Sequence, residues 1–242
     1  MLNDALNCPG KLLEVYSYFH NYSLSNQLLA NLQLPKAEPI NTFKGWQKLG
    51  RNVKKGEKAI ELMMPKVVSK EDEKTGEKET FIAGFFTKRA WFGLSQTEGE
   101  DYAEAAQIPN WDKDKALAEL GIEISAFEHT NGNVQGYAKG SRVAVSPIAA
   151  LPHKTLFHEL AHVVLGHTKE ALMSDDEKTE KNIKEVEAES VAYILCSLLN
   201  LPGVEYCRGY IQNWLNGGVL PEKSSAKIFG AANKILNAGK AA

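Results

Sequence analysis

The chain has 242 residues, of which 43% are apolar and 24% charged, with a net charge of −2 at pH 7; this is ordinary for a water-soluble globular protein of one large or two ordinary domains. Cys8, Cys196 and Cys207 are the three cysteines, an odd number that makes no disulfide framework, and no window approaches the run of about 18 apolar residues that spans a membrane. With no basic segment ahead of an apolar run at the N-terminus, secretion and membrane insertion are excluded as expectations, and a cytoplasmic setting is expected.

Residues 10–33 are predicted to form two helices, the first after Pro9-Gly10 and the second with Ser23 as its N-cap. Tyr16, Tyr18, Phe19 and Tyr22 crowd the first helix and are expected in the core, because aromatic rings carry large buried areas. Pro35 to Pro39 interrupt the pattern. From Lys36 to Lys66 eight lysines or arginines stand against three glutamates, a basic patch in an otherwise neutral chain. Within it, Phe43 and Trp46 alternate with Gly45, Gly50 and Gly56 and with Lys44, Lys48, Arg51, Lys54, Lys55 and Lys58. This stretch fits two readings. It can be a nucleic-acid surface, with cations on phosphates and Trp46 stacked on a base, or a glycine-rich turn whose lysines keep it soluble. Ile60–Val68 is predicted as a strand, Ser69–Thr80 with Thr75-Gly76 as an exposed hairpin tip, and Phe81–Phe92 as the returning strand, where Lys88 and Arg89 add two cations. The acidic, alanine-rich run from Glu98 to Asn110 marks the expected boundary between a domain over 1–107 and one over 108–242.

The second domain is expected to begin with a helix over Trp111–Leu120, closed by Gly121. Ile122–Phe127, Val134–Tyr137 and Arg142–Ser146 then read as short strands of a β-meander, with Asn131-Gly132 as a hairpin turn. Arg142–Val145 is the expected edge strand, placed to take an extended peptide by strand addition. Pro152, the apolar stripe Leu156, Leu160, Val163 and Val164, and Gly166 define a helix that carries His158-Glu159-Leu160-Ala161-His162. In this HExxH pattern the histidines lie one turn apart on one face, so both can reach one metal ion, while Glu159 stands beside the open coordination position as a base for water. Standing alone, the pattern also fits a helix with two partly buried histidines; a following helix with candidate third ligands favours the metal. That helix is expected to open at Ser174-Asp175-Asp176-Glu177 and run toward Asn200. Glu185 and Glu189 share one face of it, so one can bind metal and the other support a ligand histidine, whereas Glu187 lies about 160 to 200 degrees around the helix and is the weakest candidate. His167 falls one residue short of the metzincin ligand position and is expected to cap the helix end or line the site rim. Val204–Asn216 and Pro221–Asn237 read as closing helices.

Phe19-His20-Asn21-Tyr22-Ser23 through Asn26, Gln33-Leu34-Pro35, and Trp46 to Lys58 together resemble the N-terminal single-stranded-DNA-binding domain of the ArdC antirestriction family, and Phe85-Phe86-Thr87-Lys88 with Phe92 and Gln96 resembles its closing strand. Thr155 to His167, followed by Glu185, Ala188, Glu189 and Leu195-Cys196, is similar to that family's C-terminal metallopeptidase domain, itself similar to the ImmA/IrrE peptidases. The resemblance implies an α+β fold, with a single-stranded-DNA-binding domain followed by a zincin-like metallopeptidase domain. It implies a cytoplasmic protein of a mobile element that coats incoming single-stranded DNA and has no membrane partner. His158 and His162 would be metal ligands, Glu159 the base, Glu185 the third ligand and Glu189 behind it, a gluzincin-like set for zinc, with manganese the other divalent candidate. The DNA contacts expected are Lys44, Trp46, Lys48, Arg51, Lys54, Lys55, Lys58, Lys88 and Arg89; the enzyme's substrate would be an unidentified protein or peptide. The alternative is a DNA-binding protective protein whose zincin domain is structural. Glu159 favours chemistry, because a structural site needs ligands and no base.

Overall fold

The computed structural model describes residues 18–19, 22–34, 36–71, 78–102, 110–128, 134–168, 181–215 and 220–241, and they form a mixed α+β fold. The chain divides into two compact units, one spanning Glu14–Gln107 and the other containing Ile108–Ala242. Pro9-Gly10, Tyr16, Pro35, Thr75-Gly76, Asn131-Gly132 and the Ser174–Glu177 cap lie outside the described residues.

In the first unit, helix α1 (Leu24–Gln33) starts at Ser23, whose hydroxyl accepts the Asn26 N–H. Its buried face joins Phe19, Leu34, Ala37, Ile40, Ile60, Leu62 and Trp91 in one core. Strand β1 (Ile40–Thr42) leads into the short helix α2 (Phe43–Lys48), β2 (Arg51–Val53), the long strands β3 (Ile60–Glu71) and β4 (Lys78–Gly93), and β5 (Thr97–Gly99). The main sheet has the order β1-β4-β3, so β3 is an edge. Two amide side chains cover that edge near the core. Asn26 exchanges hydrogen bonds with the Met63 backbone at 2.8 and 2.9 Å, and Gln33 with the Glu61 backbone at 2.8 Å both ways. They satisfy strand groups that would otherwise recruit another strand.

Beyond Met64 the β3–β4 ribbon leaves the core. A bulge where Lys66 opposes Gly84 and Val67 opposes Ile82 skips Ala83, with Gly84 at φ 152°. Phe81, Ile82, Phe85 and Phe86 are all exposed there, Phe85 at 64%.

Trp46 is core. Its ring is 1% exposed, its Nε1–H donates to the Phe92 carbonyl at 2.8 Å, and Tyr102 packs edge-on at 5.3 Å between centroids. A Trp46→Ala variant is therefore expected to lose about 3–5 kcal/mol of stability. Chemical denaturation measures this; a midpoint equal to that of the wild type would contradict the packing described.

The second unit opens with α3 (Lys113–Leu120), capped by Asp112 and ended by Gly121 at φ 64°. Strands β6 (Glu123–Ile124), β7 (Gly136–Lys139) and β8 (Arg142–Val145) form a sheet with the order β6-β8-β7. This corrects the expected meander, because β6 pairs with β8 in parallel and β8 is the central strand. It also removes Arg142–Val145 from the edge. Val143 and Ala144 are fully buried, so the most apolar strand takes the middle, and β7 is the edge beside the HExxH helix. The tight turn of the β7–β8 hairpin is Gly140-Ser141, with Gly140 at φ 57°.

Helix α4 (Pro152–Val164) has proline in its first turn and packs on this sheet and on α5 (Lys181–Leu198). From Val186 to Cys196 every residue of α5 is buried, because α4, α6 (Val204–Leu215) and α7 (Glu222–Ala238) all pack against it. Cys196 and Cys207 are buried free thiols, and burial pushes the Cys196 pKa up to about 12.

Candidate metal centre

Helix α4 brings His158 Nε2 and His162 Nε2 to 3.1 Å from each other, with the rings edge to face. Glu185 on α5 completes the group, its Oε2 lying 3.4 Å from His158 Nε2 and 3.8 Å from His162 Nε2. One ligand atom from each of the three lies within 4.8 Å of the others. Tetrahedral ligands at about 2.0–2.1 Å from zinc sit about 3.3 Å apart, so the spacing suits a small divalent cation. The donor chemistry suits it too. Two neutral imidazole lone pairs aimed at one point repel unless a proton or a metal stands between them.

Without metal, the proton wins at His158. Burial lowers its pKa, but hydrogen bonds to Glu185 and Glu189 outweigh this and raise it to about 9. Hydrogen bonds from His158 and His162 hold the Glu185 carboxyl far below the usual range. A divalent ion entering at neutral pH would displace the His158 proton, so uptake weakens as pH falls.

Glu159 is buried beside this group, and burial pushes its pKa up to about 7 against the pull of His158. Its carboxylate lies under strand β7. A Cβ at Gly136 would stand 3.0 Å from Glu159 Oε1 and 2.6 Å from Thr155 Cγ2, so glycine lets the strand approach the helix closely. Gly136 and Ala138 of β7 line a pocket of about 380 Å³ with His158, Glu159, His162 and Glu185.

Behind the ligands, the other two α5 glutamates, Glu187 and Glu189, each have a histidine partner. His158 Nδ1–H donates to Glu189 Oε2 at 2.9 Å, and Lys154 Nζ lies 2.7 Å from Glu189 Oε1. Burial alone would raise the Glu189 carboxyl, yet His158 and Lys154 hold it below the usual range. Glu187, the weakest ligand candidate, turns away from the metal group to His167. His167, whose N–H closes the helix end on the His162 carbonyl, lines the same pocket and stands behind His162. The spacing His162…His167 across Gly166 was the available signal, but helix periodicity alone does not carry past a reversal of the backbone.

The basic stretch of the first unit is divided in its uses. Arg51 is spent internally: its Nε donates to Thr97 Oγ1 at 2.8 Å, and its terminal nitrogens donate to the carbonyls of Thr97 and Glu100, which ties β2 to β5. Lys54 donates to the Ser95 carbonyl at 2.9 Å, and Arg89 pairs with Glu61 across the ribbon at 2.9 Å. Lys44, Lys48, Lys55, Lys58 and Lys88 are exposed. Trp46 and Arg51 are thus corrected from DNA contacts to structural roles, because burial removes the ring from any exposed base and the guanidinium is already bound. Reasoning from sequence missed the exposed aromatics Phe81, Phe85 and Phe86, which lie on both faces of the ribbon.

Residues 5–108 match the family described as the N-terminal domain of anti-restriction factor ArdC. An uncharacterised Bacillus anthracis protein, pXO2-81, is 27% identical over 288 residues, an alignment covering 96% of this chain and 48% of that protein. The chain therefore spans about half the length of this curated relative. The metal-free crystal structure of antirestriction protein ArdC from plasmid R388 has a similar fold, with a TM-score of 0.51 and 21% identity over 95% of this chain and 88% of that one. The Mn(II)-bound structure of the R388 protein aligns with a TM-score of 0.48 and 20% identity.

Proposed function

We propose, from the match of residues 5–108 to the family described as the N-terminal domain of anti-restriction factor ArdC, that this chain is an antirestriction-type protein with two activities. It binds single-stranded DNA through the first unit and hydrolyses peptide bonds at a divalent metal centre in the second. Among the described residues no helix is long and apolar enough to cross a membrane. A mobile element is the proposed genetic setting, and the cytoplasm, where incoming single strands meet restriction, the proposed place of action.

The observation that carries the hydrolytic half is the buried Glu159 carboxylate beside the convergent nitrogens of His158 and His162 and the oxygen of Glu185. A divalent ion held by these three side chains supplies Lewis acidity that activates water and polarises a carbonyl. Zinc suits two imidazoles and a carboxylate best. Glu159 takes the proton of the attacking water and delivers it to the leaving nitrogen. Glu189 holds His158 from behind. Strand β7, at the sheet edge and lining the pocket, offers backbone groups to an extended peptide.

The DNA half is supported by the ribbon. Cross-strand pairing puts Lys66 and Lys88 on one face with Phe86, and Arg89 on the other with Phe85. Exposed rings interleaved with cations suit unpaired bases and their phosphates. Lys44, Lys48, Lys55 and Lys58 extend the cationic surface.

Incubating the zinc-loaded protein with a mixture of synthetic peptides, and sequencing the products by mass spectrometry, tests the hydrolytic reading. Cleavage is expected, with chelator stopping it and added metal restoring it. No cleavage by fully metal-loaded protein that still binds DNA would favour a protective DNA-binding protein with a structural metal domain.

A further inference from the structure

Helix α4 ends in a Schellman motif. The His167 N–H donates to the His162 carbonyl at 2.9 Å and the Gly166 N–H to the Val163 carbonyl at 3.0 Å, with Gly166 at φ 78°. This motif folds the chain back over its last turn, and the two residues it brings together are usually apolar. Here both are histidines. His162 Nδ1 and His167 Nδ1 lie 3.0 Å apart, and on its far side His167 Nε2 lies 2.9 Å from Glu187 Oε2. The side chains of His167 and Glu187 are 7% and 1% exposed, so water competes poorly for these bonds.

The other nitrogen of His162 dictates where the protons sit. His162 Nε2 faces His158 and Glu185, so a metal there takes its lone pair and leaves the proton on Nδ1. His167 Nδ1 must then accept, and the His167 proton must sit on Nε2. Only an acceptor beyond can receive that proton, and the Glu187 carboxylate stands there. One arrangement of protons satisfies all three groups. The support differs from that of His158, whose Nδ1–H meets Glu189 directly.

Building on the metal centre proposed above, we infer that His167 and Glu187 form a positioning relay that locks His162 in the Nδ1–H tautomer and thereby sets the metal affinity of the site. The relay also explains why an acidic residue is buried on the side of α5 facing away from the ligands.

Competition for zinc(II) against a chromogenic chelator, using the full chain, tests the relay. His167→Ala and Glu187→Ala should each weaken zinc binding by about 10–100-fold, the usual cost of losing a partner behind a ligand histidine. The double variant should lose no more than the worse single one, because the two residues act in series. Glu187→Gln keeps an acceptor oxygen and the buried shape, and should lose less than Glu187→Ala. Thermal unfolding in excess chelator separates metal affinity from stability of the fold. Nitrogen-15 spectra of His162 in chelator-treated, metal-free protein should report a protonated Nδ1 in the wild type and a mixture of tautomers in Glu187→Ala. Zinc affinity within twofold of wild type in both His167→Ala and Glu187→Ala, or losses that multiply in the double variant, would overturn the relay alone. Wild-type protein that fails to compete for zinc would overturn the metal centre and the relay together.

Discussion

A Glu159→Gln variant is expected to keep its fold and its metal and to lose peptide hydrolysis by about 10²–10⁴-fold, the usual share of a positioned acid–base group. The amide matches the carboxylate in shape, so the close approach of Gly136 over Glu159 is preserved. It cannot accept the water proton. In the proposed reaction Glu159 would meet the attacking water and not the metal, so binding of zinc should be unchanged. Product formation from the peptide mixture checks this, with metal content measured on the same sample. Cleavage at the wild-type rate would remove Glu159 from the chemistry.

The second large effect is expected in DNA binding. Stacking on an aromatic ring contributes about 1–3 kcal/mol per base, so Phe86→Ala should weaken binding of a labelled single-stranded oligonucleotide by roughly 5–150-fold. Phe85→Ala should do the same if bases pass on both faces of the ribbon. Both rings are exposed, at 48% and 64%, so truncation removes little packing. If about four of Lys44, Lys48, Lys55, Lys58, Lys66 and Lys88 meet phosphates, counterion release gives a log–log salt slope of about −3. Chelator should leave the affinity unchanged, because the candidate metal group His158, His162 and Glu185 lies in the other unit. Fluorescence anisotropy over a salt series measures all three. Affinity that ignores both salt and the loss of Phe86 would place DNA binding elsewhere.

Local signals made much of the fold legible. Ser23 caps α1, Pro152 and Gly166 bracket α4, Gly121 ends α3, and Ile60–Val68 pairs with Phe81–Phe92. Each rests on backbone preferences within a few residues. What was not legible depended on partners far away in sequence. Arg142–Val145 read as an edge because its alternation is short, yet β6, about 20 residues earlier, pairs with it from the far side and makes it central. Trp46 and Arg51 sat in a run rich in cations and glycine, and only the Phe92 carbonyl and the Thr97–Glu100 segment reveal them as structural.

At the metal centre the spacing of His158, Glu159 and His162 placed three groups on one helical turn, since i and i+4 share a face on any helix. The face shared by Glu185 and Glu189 pointed at the same group without separating their tasks. In the structure Glu185 reaches both imidazoles, while Glu189 sits behind His158 with Lys154. Lys154 had no signal in the sequence, being a lysine in a first helical turn, where exposure is the norm. Helix angle separates Glu187 from the face of Glu185 and Glu189, but its link to His167 depends on the turn after α4 and on the packing of α5 against it.

Native mass spectrometry of the wild type beside Glu185→Ala tests the centre most directly, because Glu185 is the one donor of the three supplied by a different helix. The wild type should carry about one divalent ion per chain, zinc when zinc is offered. Glu185→Ala should lose most of it while remaining folded. A wild type that binds no ion, or a Glu185→Ala variant that holds its ion as tightly as the wild type, would contradict the site.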